Sequence, residues 1–256
     1  MKQNKDRMKE PILPVAVPVT QPIIPTAPPH IVLGEDTDTS VRQNFISKVY
    51  SVVWLQLLVT SVFIGICNQV KPVSNFMISQ NGQALASISM VSILVMTCML
   101  FCSNTLLKGG LACIYTTLFT LCMTYMVGIV GVIYSAQTLL LGGISTLGIF
   151  SGLTLYAWQT KYDYTVFGNY LLVILFGFIV FGFLGIFIPG QIVQIVYSST
   201  GAVIFSFYII YDTQLIVGGN NRRIQYSVDD YALAAINLYL DIINLFLMIL
   251  DLLSGR

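Results

Sequence analysis

The sequence predicts an all-α integral membrane protein: a bundle of seven transmembrane helices with a central last helix. Three observations carry this. The chain of 256 residues is 56% hydrophobic and only 9% charged, where a soluble domain averages about 25% charged residues. Seven apolar stretches follow one another, each near the ~20 residues that cross a hydrocarbon core at about 1.5 Å per residue. The last stretch carries a polar stripe, and polar groups at membrane depth turn toward the bundle interior or a hydrated path.

Residues 1–40 are a different material. They hold most of the nine prolines and end in the acidic stretch Glu35 to Asp38. This composition predicts a disordered, proline-rich cytosolic tail. No cleavable leader is expected, because Met1 to Glu10 is charged and a proline-rich segment follows. Within the tail, Pro25-Thr26-Ala27-Pro28 resembles the late-domain motif that recruits membrane-budding machinery. The same four residues also fit a solvated spacer.

Residues 41–256 form the transmembrane domain. Its spans are expected at about 49–67, 84–103, 110–130, 133–157, 167–188, 192–217 and 231–252. Turn residues mark the connections: Lys71-Pro72, Lys108-Gly109-Gly110, Lys161 to Tyr164, Pro189-Gly190 and Gly218 to Asp230. Only Gly131 to Tyr134 separates the third and fourth stretches, so one long kinked element is the alternative there. With the N-terminus in the cytosol, Arg42, Lys48, Lys108, Lys161, Arg222 and Arg223 lie on the cytosolic side, and Lys71 and Arg256 lie opposite. This is the positive-inside bias. Gly142, Gly143, Gly148 and Gly152 in the fourth span, and Gly177, Gly182 and Gly185 in the fifth, are expected to let helices approach closely.

Composition also excludes functions. The formal net charge is +1 and no basic block occurs, so nucleic-acid binding has no electrostatic support. The five cysteines, Cys67, Cys98, Cys102, Cys113 and Cys122, sit in apolar surroundings and read as packing thiols. The one histidine, His30, lies in the tail, which leaves no zinc-ligand cluster.

The chemistry rests on carboxylates. Asp212, Asp241 and Asp251 fall inside or at the edge of spans, and no Lys or Arg lies well inside any span. An ionisable group at the bilayer centre costs at least about 2.5–3.5 kcal/mol, which makes it a candidate functional residue. Asp212 is roughly 8 Å deep in the sixth span by helical rise, with Tyr208 one turn before it on the same face. Asp241 lies near mid-membrane in the seventh. Asn237, Asp241 and Asn244 follow i, i+4, i+7, and the same period reaches Asp230 and Asp251. Two carboxyl groups without a basic partner share a proton and titrate as a unit, or they hold a cation. Oxygen donors alone suit a hard cation such as calcium, with Asp212 and Asp241 as the expected ligands. The bland alternative is interhelical hydrogen bonding, worth about 0.6 kcal/mol per bond.

Four segments, in order, are similar to the transmembrane Bax-inhibitor-motif family. They are Val41-Arg42-Gln43-Asn44-Phe45-Ile46-Ser47-Lys48-Val49-Tyr50, Gln159-Thr160-Lys161-Tyr162-Asp163-Tyr164-Thr165, the run from Ser199 to Gln214, and the run from Asp229 to Phe246. The proline-rich tail resembles that of the lifeguard branch. The resemblance implies a seven-helix bundle around its last helix, a pH-sensitive calcium leak from internal stores such as endoplasmic reticulum or Golgi, and suppression of cell death. It places the family's di-aspartyl pH sensor on Asp212 and Asp241. The arginine that some members carry inside the second span is absent from 84–103, so any latch falls to the aspartates themselves.

Three functions compete. The first is the proton-gated calcium leak, with no cofactor beyond the permeating ion. The second is a non-transporting regulator of cell death that binds other membrane proteins. The third is an intramembrane aspartyl protease. It fits poorly, because Leu238-Tyr239-Leu240 before Asp241 is bulky where such enzymes need glycines for the substrate backbone.

Overall fold

The computed structural model describes residues 39–102, 110–188, 190–219 and 222–254. The tail, with Pro25 to Pro28, lies outside the described residues. The described chain is helical: α1 Thr39–Gln69, α2 Lys71–Ile78, α3 Gln80–Cys102, α4 Gly110–Ile133, α5 Ala136–Gln159, α6 Gly168–Gly185, α7 Gln191–Val217 and α8 Tyr231–Ser254. Single 3₁₀ turns at Thr165–Phe167 and Val228–Asp230 lead into α6 and α8. All of these except α2 are long and apolar enough to cross a membrane, which makes 7 spans. The start of α1 and the end of α8 therefore lie on opposite faces, called near and far below.

Each predicted stretch is a helix. The doubtful junction resolves as two: α4 stops at Ile133, and Ser135, in extended conformation, caps α5 by accepting from Thr138 N at 3.2 Å. The Lys71-Pro72 turn is corrected. Proline there opens the short helix α2 instead of breaking the chain, because its missing N–H would be unpaired in a first turn anyway.

α8 is the central helix. Of its most apolar stretch 67% is buried inside the bundle, against 44% or less for any other span. It packs against α7, α1, α5 and α4. Two apolar clusters meet across it. One joins Val49, Phe205 and Ile209 to Leu238, Ile242 and Leu245; the other joins Ile64, Phe119 and Val127 to Ile236, Ile243 and Phe246.

α1 and α4 run parallel at a constant offset, with Gln56 beside Thr120 and Thr60 beside Thr124. Gly131 sets their distance, since a Cβ there would lie 2.6 Å from the Ile64 carbonyl oxygen. Of the glycines predicted to seat helices, Gly142 faces Leu250 and Gly182 faces Tyr197. Gly143, Gly148, Gly152 and Gly177 have nothing within 4 Å of a built Cβ, and so bring no helix closer. Small residues in a span mark contact only where another helix happens to lie.

Candidate functional site

The site forms where α7 and α8 pack antiparallel. Asp212 and Asp241 are 4% and 7% exposed, and their side chains hydrogen-bond to each other. An ionised carboxylate is acceptor-only, so this bond needs a proton on one of the pair. Oδ2 of Asp241 is buried and accepts from no N–H or O–H donor. The pair thus holds one shared proton inside the bundle.

Tyrosines surround it. Tyr208, half-buried, lies within electrostatic range of both carboxyl groups and meets Tyr211 edge-on at 6.4 Å. Tyr226, from the α7–α8 connection, faces both aspartates from the near side. Burial, and then the Asp212 carboxyl beside it, push its phenol well up, so it stays neutral and can only exchange hydrogen bonds. Its hydroxyl accepts from Asn237 Nδ2 at 2.9 Å.

The predicted stripe divides. Asn237 joins the site through Tyr226. Asn244 instead donates to the Leu240 carbonyl of its own helix at 2.8 Å, a local bond that leaves it no visible part in the pair. Asp230 belongs to a capping box with Ser227 at the start of α8. Asp251, ten residues beyond Asp241, sits about 15 Å away by helical rise, where it accepts from Gln194 Nε2 at 2.5 Å and from Ser198 Oγ.

The near face is tied down by Arg222, Gln214 and Asp163. Arg222 donates to the carbonyls of Tyr162 at 2.6 Å, Ala157 at 3.1 Å and Thr160 at 2.8 Å, so it caps the end of α5 as well as contributing to the charge bias. Fully buried Gln214 accepts from Tyr164 N at 2.7 Å and donates to Tyr162 O at 3.0 Å. Asp163 accepts from Thr165 N and Oγ1 and from Arg223 N. Burial raises its pKa, but these hydrogen bonds and the nearby Arg222 charge outweigh that and hold the carboxyl below its usual value.

A second polar seam, on the opposite side of α8, escaped the sequence reading. Gln56 Nε2 donates to Thr120 Oγ1 at 2.8 Å. Thr60 donates to Gln56 O at 2.9 Å and contacts Thr124 Oγ1 at 2.9 Å and Tyr239 OH at 2.8 Å. A hydroxyl has one proton, so Thr124 and Tyr239 must both donate to Thr60. The signal was present as Gln56 and Thr60 at i, i+4, matched by Thr116, Thr120 and Thr124. Uncharged residues simply stand out less in an apolar span than carboxylates do.

Among the described residues no group of three or more His, Cys, Asp or Glu gathers as a metal centre.

A family model described as Inhibitor of apoptosis-promoting Bax1 matches residues 42–256. Similar curated proteins include Protein lifeguard 3 of Homo sapiens, 32% identical over 231 residues that cover 87% of this chain and 72% of that protein. Protein lifeguard 3 of Mus musculus is 31% identical over the same length. Protein LIFEGUARD 4 of Arabidopsis thaliana is 33% identical over 217 residues, covering 83% of this chain and 85% of its own.

Proposed function

Because the chain belongs to the Inhibitor of apoptosis-promoting Bax1 family, we propose that it is a membrane regulator of cell death that works as a pH-sensitive calcium leak in an internal membrane. The observation that carries the reading is the buried, hydrogen-bonded pair of Asp212 and Asp241. The shared proton joins α7 to α8. Its loss leaves two like charges in contact, which repel each other or take up a cation. Calcium is cargo here, meeting Asp212 and Asp241 in passage, with Tyr208, Tyr226 and Asn237 as neutral neighbours.

The near face is taken as cytosolic, because Arg42, Lys48, Lys161, Arg222 and Arg223 belong to it and Lys71 to the other. An N-terminal tag reached from the cytosol in selectively permeabilised cells checks this. Proteolysis is not proposed: Leu238 and Tyr239, just before Asp241, are fully buried, leaving no room for a substrate backbone. Cell-death regulators, and budding machinery at Pro25 to Pro28, are the partners in view.

The test is calcium flux in liposomes holding the purified full chain, read across a pH series. Asp212→Asn and Asp241→Asn should each flatten the pH response, and the double variant should add little, as for any coupled pair. Additive effects, or unchanged pH profiles, would leave the aspartates as structural residues. No flux from the unaltered protein would favour a regulator that acts by binding alone.

A further inference from the structure

The dyad occupies one end of the α7–α8 interface, and a different cluster occupies the other. Asp251 lies in the last turn of α8, which contains no basic residue. A helix C-terminus carries partial negative charge and unpaired carbonyls, so a carboxylate there is unfavourable unless a cation accompanies it. Asp251 Oδ1 accepts from Gln194 Nε2 at 2.5 Å, and Oδ2 from Ser198 Oγ. Ser198 is fully buried, and its hydroxyl also points at the Gln194 carbonyl, at 2.9 Å. One hydroxyl proton cannot serve both acceptors. With Asp251 ionised, whichever acceptor loses it is left oxygen to oxygen with Ser198, a contact that a cation relieves.

One member of the cluster, Gln194, is also reachable. Gln194 lines a cleft of about 650 Å³ between α6 and α7, together with Gly182, Val193 and Tyr197. Tyr197, stacked on Phe178 at 4.3 Å, lies within electrostatic range of Asp251. Between this cluster and the dyad, α7 and α8 approach closely where Met248 is seated on Gly201, at which a Cβ would meet its sulfur at 2.5 Å.

We propose that Asp251, Ser198 and Gln194 form a far-face binding site for a hard divalent cation, calcium by class. Asp251 supplies both carboxylate oxygens, Ser198 its hydroxyl oxygen, and Gln194 its side-chain carbonyl after the amide turns over. Oxygen donors of this kind, completed by water, match calcium's preference for six to eight oxygens. As a permeation station the site rests on the calcium-leak reading. As a binding site it stands apart from the dyad.

The test uses terbium as the calcium probe, with the full chain in phosphatidylcholine nanodiscs. Excitation of Tyr197 should sensitise bound terbium, and calcium should displace it. Asp251→Asn should weaken terbium binding at least tenfold and Ser198→Ala several-fold. Tyr197→Phe should remove most of the emission while calcium still binds by calorimetry. Asp212→Asn should keep the emission, even where it flattens the pH response of flux. Saturable emission unchanged in both Asp251→Asn and Ser198→Ala would overturn the site, as would emission that rises without saturating. Should Asp251→Asn fail to fold, Ser198→Ala and Tyr197→Phe decide the matter alone.

Discussion

Thr60→Val removes one hydroxyl from the α1–α4–α8 seam at nearly constant shape. Thr60 is 1% exposed, and it is the hub at which Thr124 and Tyr239 both place their protons. The substitution therefore breaks one bond to α4 and one to α8, and strands two donors where no water replaces the loss. Interhelical bonds in membranes average about 0.6 kcal/mol and reach about 1.7. Two of them give a loss of about 1–3 kcal/mol, the upper end applying because both partners stay buried and unpaired. Thr117→Val is the matched control: its hydroxyl is exposed and bonds only to Cys113 O of its own helix at 2.8 Å. It should cost a few tenths of a kcal/mol at most. Tyr239→Phe should recover part of the loss in the Thr60→Val background, because it deletes a stranded donor. Reversible unfolding in mixed micelles, followed by circular dichroism, measures the unaltered protein, the three single variants and the Thr60→Val, Tyr239→Phe double variant. Equal stability of Thr60→Val and Thr117→Val, or strict additivity of Thr60→Val with Tyr239→Phe, would refute the hub.

Gly131→Ala and Gly148→Ala should diverge in the same assay. The first forces a methyl to 2.6 Å from a backbone oxygen that cannot turn aside and should cost about 1–3 kcal/mol. The second meets nothing within 4 Å and should be neutral or slightly stabilising; equal effects would mean that Gly131 does not set the α1–α4 distance. Asp163 predicts an acid-labile near face. Its folded pKa is depressed, so its contribution is complete above the ordinary carboxylate value of about 3.9 and is lost as pH falls through the lower folded value. Hydrogen exchange at the Arg223 and Ile224 amides, corrected for intrinsic rate, should accelerate only below about pH 4. In Asp163→Asn it should be fast at every pH; acid sensitivity that survives in that variant would place the latch elsewhere.

The split at Gly131 to Tyr134 waited on the structure, but composition and length were enough for the solvent, the seven apolar stretches and the two aspartates worth watching. Each follows from a cost that needs no partner to state: charge is expensive in lipid, length must match the hydrocarbon, and a carboxylate at depth requires a reason. Asp212 and Asp241 stood out on that cost alone. What they do to each other did not, because by residue count Asp241 lies deeper in its helix than Asp212, and only the packing of α7 against α8 brings the two side chains into contact. Tertiary structure likewise decided that Asn244 turns to its own backbone and that Asp251 serves a separate cluster. It also decided that Arg222 caps α5 and that Tyr226 covers the dyad from a connecting segment. A hydrogen bond depends on which group a neighbouring helix presents at about 3 Å, and periodicity along one helix carries no information about its neighbour. The seam through Gln56, Thr60 and Tyr239 shows the same limit: regular spacing on each helix, made into one network only when α1, α4 and α8 are laid side by side.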